Sequence, residues 1–307
     1  MTKKIVIETD GQMDHWRGCS ELEAGNILFW PKIPFDFPQE EIDFLLAQRQ
    51  GGSKSRKNIS YKPQMDRMSN HDAKDSANSE QLKTVLSQYS KRVTSYLSGI
   101  LAPYVDQWKL DYASFRPFQE KGRKLRLRAR NDLLHVDSFP TRPVHGWRIL
   151  RFFTNINPQE SRKWVTSLPF SELLKQFGGG RQGVSFPSAM NYSWTGRLWK
   201  KGKMALSSLG LKIPLRSPYD HFMLRLHHFL KENEGFQKNC PKDHWDFPPH
   251  SCWAVFTDQV SHAALSGQYA LEQTFLVPEK ALLRPETSPA ALLQGMSGKN
   301  LIDVECV

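Results

Sequence analysis

Four cysteines in 307 residues, Cys19, Cys240, Cys252 and Cys306, are too few and too irregularly spaced for a disulfide framework, so reduced thiols are expected. No apolar run is long enough to span a bilayer, and the opening Met1–Asp10 carries charge where a secretory signal needs an apolar core. Both absences point to a cytoplasmic protein. No internal repeat is visible, which argues against a solenoid or propeller. Neither a Ser-His-Asp arrangement nor a carboxylate pair for general acid–base catalysis stands out, and no recognised RNA- or DNA-binding motif is present. Acidic residues are scarce beside basic ones, 31 against 42, and the formal charge of +11 attracts acidic or phosphorylated partners and anionic membrane surfaces.

What is present suits one large domain spanning residues 1–307, since 39% hydrophobic and 11% aromatic content can fill a sizeable core. Residues 1–105 read as an arm with helices: a proline-punctuated aromatic run at 25–38 suits an edge strand or extended arm, and a short helix follows at 39–48. The Gly-, Ser-, Lys- and Asn-rich stretch 51–79 reads as a mobile polar loop. Leu82, Val85, Leu86, Tyr89, Val93, Tyr96, Leu97 and Ile100 form a helical stripe, with Ser79 as N-cap and Pro103 as stop. From residue 110 the period changes to two, giving strands at 111–118, 124–137 and 147–156. An insertion is expected over 158–235, with helices near 170–177 and 219–233, and the sheet resumes at 251–258 and 269–277.

The chemistry concentrates at 124–158. Side chains at i and i+2 of a strand leave on one face, so His135 and Asp137 can converge on one ion. His262, just after a later strand and turn, completes a 2-His-1-carboxylate set of the kind that holds Fe(II) and leaves open positions for a co-substrate and O2. That strand order is the order of a double-stranded β-helix (jelly-roll, cupin-like) core, mainly β with flanking helices in an α+β arrangement. Cys240 and His244 with His250 and Cys252 form a rival zinc set, although their spacing matches no common zinc module. Arg126, Arg128 and Arg130 alternate with apolar residues; they either bind an acidic ligand or protect an exposed strand face. Trp194 and Trp199, with Lys200, Lys201 and Lys203 ahead of Leu206–Leu215, combine aromatics and cations as membrane-interface segments do, or as solvated basic loops do.

The run His135–Pro158, the run Ser261–Phe275, the arm Gly25–Pro38 and the segment Lys57–Tyr61 together resemble the Kdo 3-hydroxylases. These are Fe(II)/2-oxoglutarate oxygenases that act on the 3-deoxy-octulosonic acid (Kdo) of bacterial lipopolysaccharide. The resemblance implies iron ligation by His135, Asp137 and His262. It also implies hydroxylation at carbon 3 of Kdo in a Kdo-lipid A precursor, with 2-oxoglutarate and O2 consumed and succinate and CO2 released. The anionic inner-membrane surface would be a second partner, and nucleic acid is not expected.

In many such oxygenases an Arg or Lys about ten residues beyond the distal histidine anchors 2-oxoglutarate, but Leu271–Phe275 contains no base. Arg151 is therefore the first choice for the anchor and Arg148 the second, with Asn155 and Gln273 beside them. Arg126, Arg128, Arg130 and Arg142 are candidates for the acidic sugar. The rivals are a 2-oxoglutarate hydroxylase of another acidic or lipid-linked substrate, and a basic nucleic-acid-binding module.

Overall fold

In the computed structural model, which describes residues 2–7, 14–48, 58–71, 75–178, 184 and 215–302, two sheets face each other and helices cover the outside. The strands are β1 (Lys4–Val6), β2 (Ile27–Trp30), β3 (Ile59–Lys62), β4 (Arg67–Ser69), β5 (Lys109–Arg116), β6 (Arg148–Asn155), β7 (Arg162–Pro169), β8 (Asp243–Phe247), β9 (Cys252–Phe256), β10 (Val260–Ser266) and β11 (Ala270–Val277). The larger sheet runs β1-β2-β9-β6-β11-β5-β3-β4 and the smaller runs β10-β7-β8.

The period of two decides what each face of the larger sheet does. On β6, Leu150 and Phe152 point to the helical side, where they join Leu82, Leu86, Tyr89 and Val93 of the helix Ser76–Ser98. The Tyr89 hydroxyl meets Thr154 Oγ1 at 3.1 Å, which ties that helix to the strand. Phe153 points the other way, into an apolar cluster with Trp253 and Val255 of β9, Trp164 of β7 and Val260 of β10. A strand buried on both faces has no solvent side on which to place charge, so Arg148 and Arg151 of β6 must each find partners inside the protein.

Several expectations hold: helices form at Gln39–Ala47, Phe170–Phe177 and Pro218–Glu232, and strands at β5, β6, β9 and β11. Others are corrected. The stripe helix starts earlier than Ser79, because the Asp75 side chain accepts the Asn78 backbone N–H at 3.0 Å and so caps the first turn. β2 is not an edge: all four residues are buried, with β1 parallel on one side and β9 antiparallel on the other. The polar stretch 51–79 contains the β3–β4 hairpin, because Ile59 and Tyr61 reach the core and β3 pairs with β5; residues 51–57 and 72–74 lie outside the described residues.

The expected insertion begins too early, since β7 is the central strand of the smaller sheet. Most of the Trp194–Leu215 segment also lies outside the described residues. No strand forms at 124–130. Leu127–Ala129 is a 3-10 turn, and Leu127, 46% exposed, has no sheet to bury it between its charged neighbours. Among the described residues, no helix is long and apolar enough to cross a membrane.

Candidate active site

The backbone builds the site before any side chain acts. His135 and His262 exchange both N–H···O bonds, at 3.1 and 2.9 Å, as one antiparallel pair, which sets their imidazoles side by side with centroids 4.8 Å apart. The Asp137 N–H donates to the Thr257 carbonyl at 2.9 Å, so residues 135–137 run between the two sheets. Nδ1 of His135 lies 2.7 Å from the Leu133 carbonyl, and Nδ1 of His262 lies 3.1 Å from the Val260 carbonyl. A carbonyl only accepts, so each Nδ1 carries the proton and each Nε2 is left as a donor atom for a metal.

One ligand atom from each of His135, Asp137 and His262 fits within 4.8 Å of the others, and all three residues are buried. Burial, and next the charge of Lys231, hold the His135 imidazole well below its usual 6.5. Burial likewise lowers His262. For Asp137, burial acts upward but the opposing groups, the charge of Arg151 foremost, outweigh it and bring the carboxyl to about 2. At neutral pH the set is therefore two neutral imidazoles and one carboxylate. Asp137 Oδ2 is buried and accepts no hydrogen bond, while Arg151 Nε stands 3.3 Å away. An orphaned carboxylate oxygen beside two aimed imidazoles fits a divalent ion, and the two nitrogens and one oxygen suit Fe(II). Among the described residues no other group of this kind occurs; Cys252 is instead buried in β9, with its sulfur 3.3 Å from Thr154 Oγ1.

These atoms open into a cavity of about 620 Å³, within the range that holds small molecules. Six cationic side chains line it, Arg116, Arg128, Arg142, Arg151, Arg162 and Lys231, against the carboxylates of Asp137 and Glu272. The imbalance suits anionic ligands. Arg116 forks onto Glu272 at 2.7 and 3.2 Å and reaches Glu120 at 3.2 Å. Arg151 Nη1 is 3.7 Å from Glu272, and Arg162 Nη2 is 3.6 Å from Glu120. Gly267, at φ +122°, makes room for Arg162: a Cβ there would come within 2.8 Å of Arg162 Cγ, and the Gly267 carbonyl accepts from Nη1 at 3.1 Å. Arg162 Nε has no hydrogen-bond partner. Trp164 stacks on the His262 ring at 5.3 Å and 18°, giving the cavity an apolar wall.

Of the residues expected at the site, His135, Asp137, His262, Arg151, Arg128 and Arg142 do line the cavity. Arg148, Asn155 and Gln273 do not. Arg148 leaves β6 on the opposite face, where it binds Asp258 at 2.7 Å. Asn155 has the inward parity but sits beyond the cavity, where its amide donates to the carbonyls of Glu160, Phe247 and Pro248. Gln273 takes the outward parity between Glu272 and Thr274 and donates to the Thr274 carbonyl.

The Arg126/Arg128/Arg130 ladder is absent, for want of a strand. Arg126 is exposed, Arg128 pairs with Glu232 at 2.5 Å, and Arg130 forks onto Asp132. Arg142 pairs with Asp111 and lies over the rings of Tyr112 and Phe139, 4.4 and 4.2 Å from their centroids. Arg116, Arg162, His227 and Lys231 were not anticipated. Arg116 shares parity with Tyr112 and Ser114 on β5, a signal readable in the sequence; Arg162 falls inside the expected insertion and carries no such signal.

Glu272 offers a test of this charge network. Burial would raise its carboxyl, but Arg116 and then Arg151 outweigh it, leaving the group below its usual 4.5. The unfolded chain therefore takes up the proton first as pH falls. The stabilisation is complete above the unfolded value and is lost as pH drops through the folded one. Thermal melts between about pH 5 and 3 should show a shallower pH dependence for Glu272→Gln than for the parent, and parallel curves would exclude this role.

A family model for the 3-deoxy-D-manno-oct-2-ulosonic acid (Kdo) hydroxylases matches residues 7–300. The chain is also similar to crystal structures of the Kdo hydroxylase KdoO, a non-heme Fe(II), α-ketoglutarate-dependent dioxygenase. The complex with cobalt(II) has 34% identity and a TM-score of 0.84, with 99% of each chain covered. The complex with α-ketoglutarate and Fe(III) has 33% identity and a TM-score of 0.83, with 98% of each chain covered. The complex with succinate and Fe(III) has 33% identity and a TM-score of 0.83, with 99% of each chain covered. No match was found among curated proteins.

Proposed function

Because the chain belongs to the Kdo hydroxylase family, an Fe(II)/2-oxoglutarate-dependent dioxygenase family, we propose that it hydroxylates carbon 3 of Kdo in a Kdo-lipid A precursor. The observation that carries this reading is the His135/Asp137/His262 set facing a cavity lined with arginine. The two sheets are read as one double-stranded β-helix, in a single oxygenase domain. A position at the cytoplasmic face of the inner membrane suits a lipid-linked substrate and the positive charge of the chain.

His135 and His262 would hold Fe(II) through Nε2 and Asp137 would hold it through its carboxylate. Bound there, Fe(II) with 2-oxoglutarate and O2 supplies the oxidising power: one oxygen atom enters the C–H bond as hydroxyl, the other enters succinate, and CO2 leaves. The side chains position the reactants. Arg151 is the proposed anchor for the distal carboxylate of 2-oxoglutarate, with the buried Arg116 and Arg162 as neighbouring donors, because a guanidinium fork matches a carboxylate bidentately. Glu272 and Glu120 keep these guanidinium groups fixed until the co-substrate arrives. Trp164 and Phe153 exclude water from the metal side of the cavity. Breaking an unactivated C–H bond with that oxidant would need no side-chain base.

Anaerobic addition of Fe(II) and 2-oxoglutarate should produce a visible charge-transfer band, and aerobic succinate release should depend on Kdo-lipid A. Arg151→Ala should raise the Kd for 2-oxoglutarate roughly 10- to 100-fold, the range expected of a lost charge-assisted pair. An unchanged Kd would remove Arg151 from this role, and no band in the parent protein would end the oxygenase reading.

A further inference from the structure

The helix Pro218–Glu232 sends two side chains into the cavity, His227 and, one turn on, Lys231. At i and i+4 they share a helix face. His227 packs edge-on against His135, with centroids 4.9 Å apart, and its Nδ1 donates to the Val136 carbonyl at 2.8 Å. Lys231 is only 4% exposed, and its Nζ donates to the Arg128 carbonyl at 3.2 Å. Two cations therefore reach the cavity from different elements, Arg151 of the larger sheet, 3.3 Å from Asp137, and Lys231 of the helix, one turn from the His227 that packs on His135.

The proposed substrate is a 2-ulosonic acid. Its carboxylate is carbon 1, two bonds from the carbon 3 that reacts. When carbon 3 stands at the metal the carboxylate stands there too, so the cation that holds it must lie deep in the cavity. Arg128, with a side chain 60% exposed and held by Glu232, is too far out, and Arg126 and Arg130 do not line the cavity. Arg116, Arg151 and Arg162 face Glu272 and Glu120 on the co-substrate side. Arg142 is engaged by Asp111 and two aromatic rings.

We infer that Lys231 binds the carbon-1 carboxylate of the acidic sugar and thereby presents carbon 3 to the metal. It is a specificity-determining residue for the proposed hydroxylation, on which this inference rests. A compact ammonium suits the task, since it fixes the position of one carboxylate without demanding the planar fork that the arginines offer 2-oxoglutarate.

The test compares two probes, the methyl glycoside of Kdo and the same compound as its carbon-1 methyl ester, which lacks the charge. Calorimetric binding is measured anaerobically to full-length protein loaded with Fe(II) and 2-oxoglutarate. The parent protein should bind the acid roughly 10- to 100-fold more tightly than the ester, the range that a charge-assisted hydrogen bond supplies. Lys231→Met should bind both alike, near the parent's affinity for the ester, while keeping the charge-transfer band, and Lys231→Arg should recover part of the preference.

Equal binding of acid and ester by the parent overturns the inference without any variant. So does an acid preference that survives in Lys231→Met, or loss of the band in Lys231→Met alone, which would place Lys231 at the co-substrate. The oxygenase reading fails separately, through absence of the band in the parent protein.

Discussion

Asp137→Ala is expected to lose Fe(II) capture and hydroxylation together while melting within a few degrees of the parent protein. The residue's contribution to the fold is its backbone, whose N–H donates to Thr257, and alanine keeps that bond. Its side chain contributes almost entirely to the site. Oδ2 accepts no hydrogen bond, and its closest cation, Arg151 Nε at 3.3 Å, still has Glu272 3.7 Å from its Nη1. Losing a hydrogen bond that supports a ligand costs a metal site about 10- to 100-fold, so losing the one anionic ligand of three should exceed about 100-fold in Fe(II) affinity. Titration of Fe(II) into both proteins, with the charge-transfer band as a second readout, checks this. Affinity within tenfold of the parent's would remove Asp137 from the ligand set. His262→Ala should behave in the same way, because the His135–His262 pair is held by backbone bonds that the substitution does not touch.

The second large effect lies on β6, on the face opposite Arg151. Arg148 and Asp258 are both fully buried, joined at 2.7 Å, with Gln259 accepting from Arg148 Nη2 at 3.0 Å and the Phe256 ring under the guanidinium at 4.2 Å. Burial acts to raise the Asp258 carboxyl and Arg148 opposes it. Asp258→Asn would leave an arginine charge in the interior without its anion, which costs about 3–5 kcal/mol. Chemical denaturation should show that loss. The double substitution Arg148→Met with Asp258→Leu should be markedly less destabilising than Asp258→Asn alone, because both charges then leave together. The Kd for 2-oxoglutarate should stay at the parent value in any of these variants that folds, because Arg148 does not line the cavity. A change there with Arg151 intact would contradict the division of labour between the two arginines of β6.

What the sequence determined follows from local rules. A separation of two residues on an extended segment puts His135 and Asp137 on one side, alternation along β6 separates Arg151 from Arg148, and the apolar stripe from Leu82 to Leu97 requires a packed helix. These features need no knowledge of distant residues. Parity alone did not tell that Asn155 lies past the end of the cavity, nor that Gln273 takes the outward side, because both depend on where a neighbouring strand stops and how β11 registers against β6. The arginines at 126, 128 and 130 alternate like a strand, yet with no sheet edge beside them they turn out to solvent and to local carboxylates.

Tertiary structure decided the rest of the cationic lining. Arg162 and Lys231 come from a strand and a helix, and nothing in their own neighbourhoods marks them, whereas Arg116 follows the parity of β5. A charged side chain at a helix end or within an amphipathic strand reads as a solvated one until the packing of two sheets and a helix removes the solvent. Two of the three proposed ligands, His135 and Asp137, thus lie in one short stretch. The cavity that gives them an anionic ligand to act on exists only where distant segments meet.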